Sequence, residues 1–155
     1  MRNLFKRRVV TSNFPNEGEI SFEINIDKIK KVFILEDDAD RLNFFLEIFK
    51  DRKVDFTKDV DYAKRCVGAK KYDLILLDHD MEDFDEHRDE RLKGPERTGT
   101  EVAEHLRDTM NIETFCIIHS MNPRGAANMV KAHPFNTCYI PFFMLKEAFK
   151  TKEAI

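Results

Sequence analysis

Short continuous apolar runs recur along this chain and alternate with segments in which apolar residues return every third or fourth position. Val32-Phe33-Ile34-Leu35, Leu74-Ile75-Leu76-Leu77 and Phe115-Cys116-Ile117-Ile118 have the length and continuity of strands covered on both faces. Leu42, Phe45, Leu46 and Phe49 share one helical face, which predicts a helix over 38–51 that begins at an acidic cluster. Val54 to Thr57 reads as a short second strand, and Val60, Ala63 and Val67 as a helix that Gly68 ends. Thr98-Gly99-Thr100-Glu101 is a capping box opening a third helix, with Val102, Leu106 and Met110 on one face. Asn122-Pro123 opens a fourth, in which Ala126, Met129 and Val130 are the buried positions. Cys138 to Phe143 predicts a fifth strand, and Leu145, Ala148 and Phe149 mark a closing helix.

Strands and helices taking turns in this way predict an α/β fold: a doubly wound, five-stranded parallel sheet with right-handed crossovers. Residues 1–29 fall outside the rhythm. There Ile20, Phe22, Ile24 and Ile26 alternate with polar residues, so an added strand is expected, paired at an edge or in a hairpin. The chain thus divides into an N-terminal extension, 1–29, and a main domain, 30–155.

Composition narrows the class without naming a function. With 155 residues and 42% hydrophobic content, the chain can bury most of its apolar surface in a single core. No stretch approaches the roughly 20 apolar residues of a membrane span, and the N-terminus lacks the apolar core of a signal peptide, so a cytoplasmic protein is expected. Cys66, Cys116 and Cys138 are odd in number and spaced unlike CxxC, which predicts buried thiols rather than disulfides or a zinc site. A net charge of −3 gives no general pull toward nucleic acid, and DNA sequence recognition is not expected. Arg2, Lys6, Arg7 and Arg8 form a local basic cluster. The 14 Phe residues fall at core spacings.

The chemistry collects where the apolar runs end. Glu36-Asp37-Asp38 follows the first run, Asp78-His79-Asp80 the next, and His119-Ser120 the one after. In a parallel sheet these ends share one edge, where open α/β folds bind ligands. Between them lies a polar stretch, 80–97, with eight acids against four bases. It far exceeds the usual βα loop of about two to six residues, and suits either a solvated surface or a lid.

Lys31 to Asp38, Tyr72 to Asp78 and Gly99 opening a helix resemble, in order and spacing, the receiver domain of bacterial response regulators over about residues 31 to 150. That resemblance implies a receiver/flavodoxin-like fold, Mg²⁺ binding by Glu36 and Asp37, and a phosphoryl acceptor at Asp78. The lysine that ends a receiver's fifth strand has no counterpart in Tyr139-Ile140-Pro141-Phe142. Leu77-Asp78-His79-Asp80 and Ile118-His119-Ser120-Met121-Asn122-Pro123 look more like the receiver-derived family called the cyclic-phosphate processing receiver domain. This second resemblance implies action on a cyclic phosphate, such as an RNA end.

A cyclic phosphodiester needs charge neutralisation, an activated nucleophile and a protonated leaving oxygen. Glu36, Asp37 and Asp78 suit a hard divalent ion, Mg²⁺ or Mn²⁺. His79 and His119 are expected to exchange protons, with Asp78 and Asp80 beside them, and Ser120, Asn122 and Arg124 to hold the phosphate at the start of the fourth helix. Expected partners are a phosphate-containing small molecule or an RNA end. Each residue also has a plainer reading. Asp37 or Asp38 can cap the first helix, Asn122 the fourth, and Arg124 can be surface charge. His87 and His105 read as solvent-facing, and His133 as a helix end. Three functions stay open: a metal-assisted phosphoesterase, a module that binds a phosphorylated ligand without turnover, and a phosphorylation-dependent switch.

Overall fold

The computed structural model describes residues 5–9, 20–24, 26–81 and 97–153. Two strands, β1 (Phe5–Val9) and β2 (Ile20–Ile24), pair antiparallel in a small sheet of their own. The main sheet contains β3 (Lys31–Leu35), β4 (Lys53–Thr57), β5 (Leu74–Leu77), β6 (Phe115–Ile118) and β7 (Thr137–Tyr139), all parallel, in the order β4-β3-β5-β6-β7. Helices α1 (Ala39–Ile48), α2 (Val60–Ala69), α3 (Gly99–Leu106), α4 (Pro123–Ala132) and α5 (Phe142–Glu153) alternate with them. The expected doubly wound sheet is therefore present.

The period-two geometry of strands sorts the apolar runs into two cores. Phe33, Leu35, Ile75, Leu77, Cys116 and Ile118 pack with α2, α3 and α4 on one face. Val32, Ile34, Leu74, Leu76 and Ile117 pack with α1 and α5 on the other, where Phe45, Phe49 and Phe149 are fully buried. Cys66 and Cys116 are buried, Cys138 is half-buried, and all three are free thiols.

Several local expectations are corrected. Of the two caps expected for α1, Asp38 takes the place, its carboxylate accepting from the Arg41 N–H, and Asp37 does not. Gly68 lies inside α2, which runs on to Ala69 because nothing there requires a left-handed residue. The capping box at Thr98 is only half formed, since Glu101 turns its carboxylate to Lys64 and Arg97 instead. Helix α3 ends at Leu106, leaving Met110 half exposed beyond it. The last strand stops at Tyr139, and Pro141 precedes α5, so Phe142 and Phe143 are helical. His105 is half-buried rather than solvent-facing, and His133 ends α4 with its ring fully buried. Phe56, Phe135 and Phe143 are exposed rather than core. His87 and most of the acidic stretch lie outside the described residues.

Candidate active site

Glu36 and Asp78 directly follow β3 and β5, the strands between which the chain reverses its order of winding. Such a switch point leaves a crevice at the carboxyl ends of the strands. Both acids are buried, and one oxygen from each of Glu36, Asp37 and Asp78 lies within 4.8 Å of the others. Arg41, in the first turn of α1, reaches all three. Its Nε donates to Glu36, its Nη2 donates to Asp78 Oδ2 at 3.2 Å, and Asp37 Oδ1 is 3.8 Å from the same nitrogen. Sequence reasoning missed Arg41. The signal was there in its four-residue spacing from Asp37 and in a cation near a helix N-terminus, where the helix dipole disfavours positive charge unless acids face it.

Burial dominates the electrostatics. It pushes the Asp78 carboxyl up to about 7, helped by hydrogen bonding with Glu36 and opposed by His119 and Arg41. Glu36 is also raised, again by burial first. Two desolvated carboxyls side by side cannot both carry charge cheaply, so the pair holds a proton most readily on Asp78.

The two histidines part company. His119 follows β6 and its side chain is 0% exposed. Its ring meets Phe45 of α1 edge-on at 4.9 Å, and its Nε2 lies 3.5 Å from Glu36 Oε2. Neither ring nitrogen has a hydrogen-bond partner, nor does Glu36 Oε2. Burial lowers this imidazole to about 4, so it is neutral at physiological pH. His79 lies on the other face of the sheet, against α4. Its Nδ1 is 2.7 Å from Asp80 Oδ1, and its side chain keeps 16% exposure. A Cβ at Gly125 would come within 2.4 Å of the His79 ring, so the absence of a side chain at 125 gives that ring its seat. The expected pair of imidazoles facing one cleft is thus replaced by one accessible ring and one buried ring. The cause is register: Leu77 pairs with Ile118, so Asp78 and His119 fall on one face while His79 points to the other.

The start of α4 is also more self-contained than expected. Asn122 Oδ1 caps the helix through the Gly125 N–H, while its Nδ2 donates to Asp80 Oδ1 at 3.2 Å. Burial would raise Asp80, but the hydrogen bonds from His79 and Asn122 outweigh it and hold the carboxyl below its usual range. Ser120 is buried, and its hydroxyl accepts from the Asn122 N–H. Arg124 is exposed. A hollow at the opposite, N-terminal edge of the sheet mixes Lys30, Lys31, Lys50, Arg52 and Lys53 with Asp27 and Asp51, and includes none of Glu36, Asp37, Asp78, His79 and His119.

The carboxylate cluster fits a divalent cation. Its donors are hard oxygens, and the buried Glu36 Oε2, without a hydrogen-bond partner, is an acceptor awaiting positive charge. Together the winding order, the acidic crevice at the switch point and the capped helix beside it define a receiver fold. The match is specific: a sequence model of the cyclic-phosphate processing receiver domain covers residues 31–133, and the chain belongs to that family.

Solved structures agree on the fold. A response regulator from Hahella chejuensis superposes with a TM-score of 0.57 at 20% identity, covering 81% of this chain and 90% of that one. The receiver domain of a sensor histidine kinase from Pseudomonas aeruginosa PAO1, described with a magnesium ion coordinated in its active site cleft, gives 0.56 at 16% identity, with 79% and 95% covered. A CheY-like receiver from Methanospirillum hungatei JF-1 gives 0.55 at 16%, with 82% and 98% covered. Among curated proteins, none matches this sequence. No helix of the described residues is long and apolar enough to cross a membrane.

Proposed function

We propose that this chain is a metal-assisted phosphoesterase that opens a cyclic phosphate, either an RNA 2′,3′-cyclic end or a cyclic nucleotide. The observation that carries the reading is the juxtaposition, at one sheet edge, of a buried three-carboxylate cluster with an imidazole steadied by a carboxylate. Glu36, Asp37 and Asp78 would hold Mg²⁺ or Mn²⁺, which supplies charge neutralisation for the phosphate and a more acidic water. Asp80 accepts from His79 Nδ1–H and so fixes the tautomer, leaving Nε2 as proton acceptor. In the reaction, a water oxygen bonds to phosphorus and one ring P–O bond breaks. His79 Nε2 takes the water's proton and returns it to the leaving oxygen, giving a phosphomonoester. His119, being buried, acts as a positioning residue behind Glu36, while Asn122 holds Asp80. Arg124 and Asn122, at the start of α4, would meet the phosphate, while the buried Ser120 steadies Asn122 by accepting from its N–H.

One observation favours a second reading, ligand binding without turnover: of these two imidazoles only His79 reaches the surface. A phosphorylation switch at Asp78 is disfavoured by Tyr139-Ile140-Pro141, which brings no lysine to the crevice. Incubation with 2′,3′-cyclic, 3′,5′-cyclic and linear phosphates, with and without Mg²⁺ and followed by phosphorus NMR, tests the proposal. Metal-dependent conversion of a cyclic species is expected. Tight binding of a cyclic species with no conversion would establish the binding module instead.

A further inference from the structure

The guanidinium of Arg41 lies where a cation shared by the three acids would lie. It donates to Glu36 and to Asp78 Oδ2, and it approaches Asp37, using the carboxylates that come within 4.8 Å of one another. A guanidinium and a divalent ion cannot both take those oxygens at short range, because like charges repel strongly in a crevice whose dielectric is low. Arg41 is also placed to move. Its backbone is fixed in α1, but its side chain is 25% exposed and joined to the helix by a flexible stem, so the guanidinium can swing toward the mouth while the backbone stays put.

We propose that Arg41 is an exchangeable internal counter-ion. Without metal it neutralises Glu36 and Asp78 and keeps the buried cluster intact. When a divalent cation enters, the guanidinium is displaced to the mouth of the crevice, where its planar fork anchors the ligand's phosphate. Two consequences follow from one side chain. The protein binds bare metal weakly, because the ion must first break charge-assisted hydrogen bonds, and it binds metal and phosphate cooperatively, because the freed guanidinium gives the phosphate a second positive partner. The role of Glu36 and Asp78 as metal holders is taken from the proposed function; the exchange itself concerns Arg41 and does not require turnover.

Calorimetric titration of the full chain with Mn²⁺ alone, then with Mn²⁺ in the presence of inorganic phosphate, tests this. Arg41→Gln should bind Mn²⁺ about tenfold more tightly or better, the scale of one or two charge-assisted hydrogen bonds that the ion no longer has to break. Phosphate should tighten Mn²⁺ binding in the parent protein and not in Arg41→Gln. Unchanged or weaker Mn²⁺ binding by the variant would overturn the counter-ion role, and phosphate coupling that survives the substitution would overturn the anchoring role. Should Arg41→Gln fail to fold, Arg41→Lys decides. Lysine keeps the charge but cannot bridge two carboxylates through a rigid fork, so several-fold tighter Mn²⁺ binding is expected, and none would refute the exchange. A protein that binds no Mn²⁺ in any form, with Asp78→Asn behaving like the parent, would instead refute the metal site on which the proposed function depends.

Discussion

At the scale of residues, one pair of histidines illustrates how burial assigns work. His119 fills space between β6 and Phe45 with no exposed surface, so His119→Ala should leave a cavity and cost about 1–3 kcal/mol in urea denaturation. His79 sits at the surface on Gly125, and His79→Ala should cost under about 1 kcal/mol. Equal losses would mean that the two rings share one environment. Asp78 makes a second prediction. Its folded pKa, about 7, lies above its ordinary value of 3.8, so its stabilising contribution is complete below pH 3.8 and is lost as pH rises through 7. His119 acts oppositely, since its lowered value makes the folded state resist protonation, and stability falls as pH drops from 6.5 toward 4. The two effects offset each other between those values, leaving the Asp78 penalty alone near and above neutrality. Asp78→Asn should therefore be more stable than the parent at pH 8 without metal, by on the order of 1–2 kcal/mol in urea midpoints, and the advantage should shrink toward pH 5. A variant less stable at pH 8 would show that the Arg41 contact outweighs the burial of charge.

At the scale of elements, close approaches of helix to strand position the site. Gly99 begins α3 with its Cα so near the end of β5 that a Cβ would lie 2.0 Å from the Asp78 carbonyl oxygen and 2.8 Å from Met129. Gly99→Ala must push α3 off the sheet or twist Asp78, and a loss of about 2–4 kcal/mol is expected by urea denaturation. A neutral outcome would mean that the α3 start can shift freely. The apolar runs announced the strands because a strand buried on both faces has no room for polar residues, and the same continuity located Glu36, Asp78, His79 and His119 at strand ends. Which face each side chain takes was not legible. That depends on Leu77 pairing with Ile118, a relation between two strands that neither run states alone. Arg41 escaped notice for a related reason: it reads as an ordinary polar position of an amphipathic helix, and only the meeting of β3, β5 and α1 surrounds it with acids. Helix ends near Gly68 and Met110 were misjudged because α2 closes at Ala69 without a left-handed glycine and α3 stops at Leu106, one turn before Met110.

At the scale of the whole molecule, a receiver sheet carries an acidic crevice at its switch point, and the same β5 end that supplies Asp78 continues into an imidazole and its carboxylate, His79 and Asp80, set against the start of α4. Fold alone does not fix function; the side chains that the sheet positions do. The proposed function requires joint action of the cluster and His79 on one cyclic phosphate. Its most direct measurement is the Mg²⁺-dependent rate of 2′,3′-cyclic AMP opening, followed by phosphorus NMR, for the parent, Asp78→Asn and His79→Ala. Turnover by the parent is expected to vanish on chelation, to be abolished in Asp78→Asn, and to fall by about 10²–10⁴-fold in His79→Ala with substrate affinity kept within about tenfold. Turnover unaffected by chelation, or equal in the parent and His79→Ala, would contradict it.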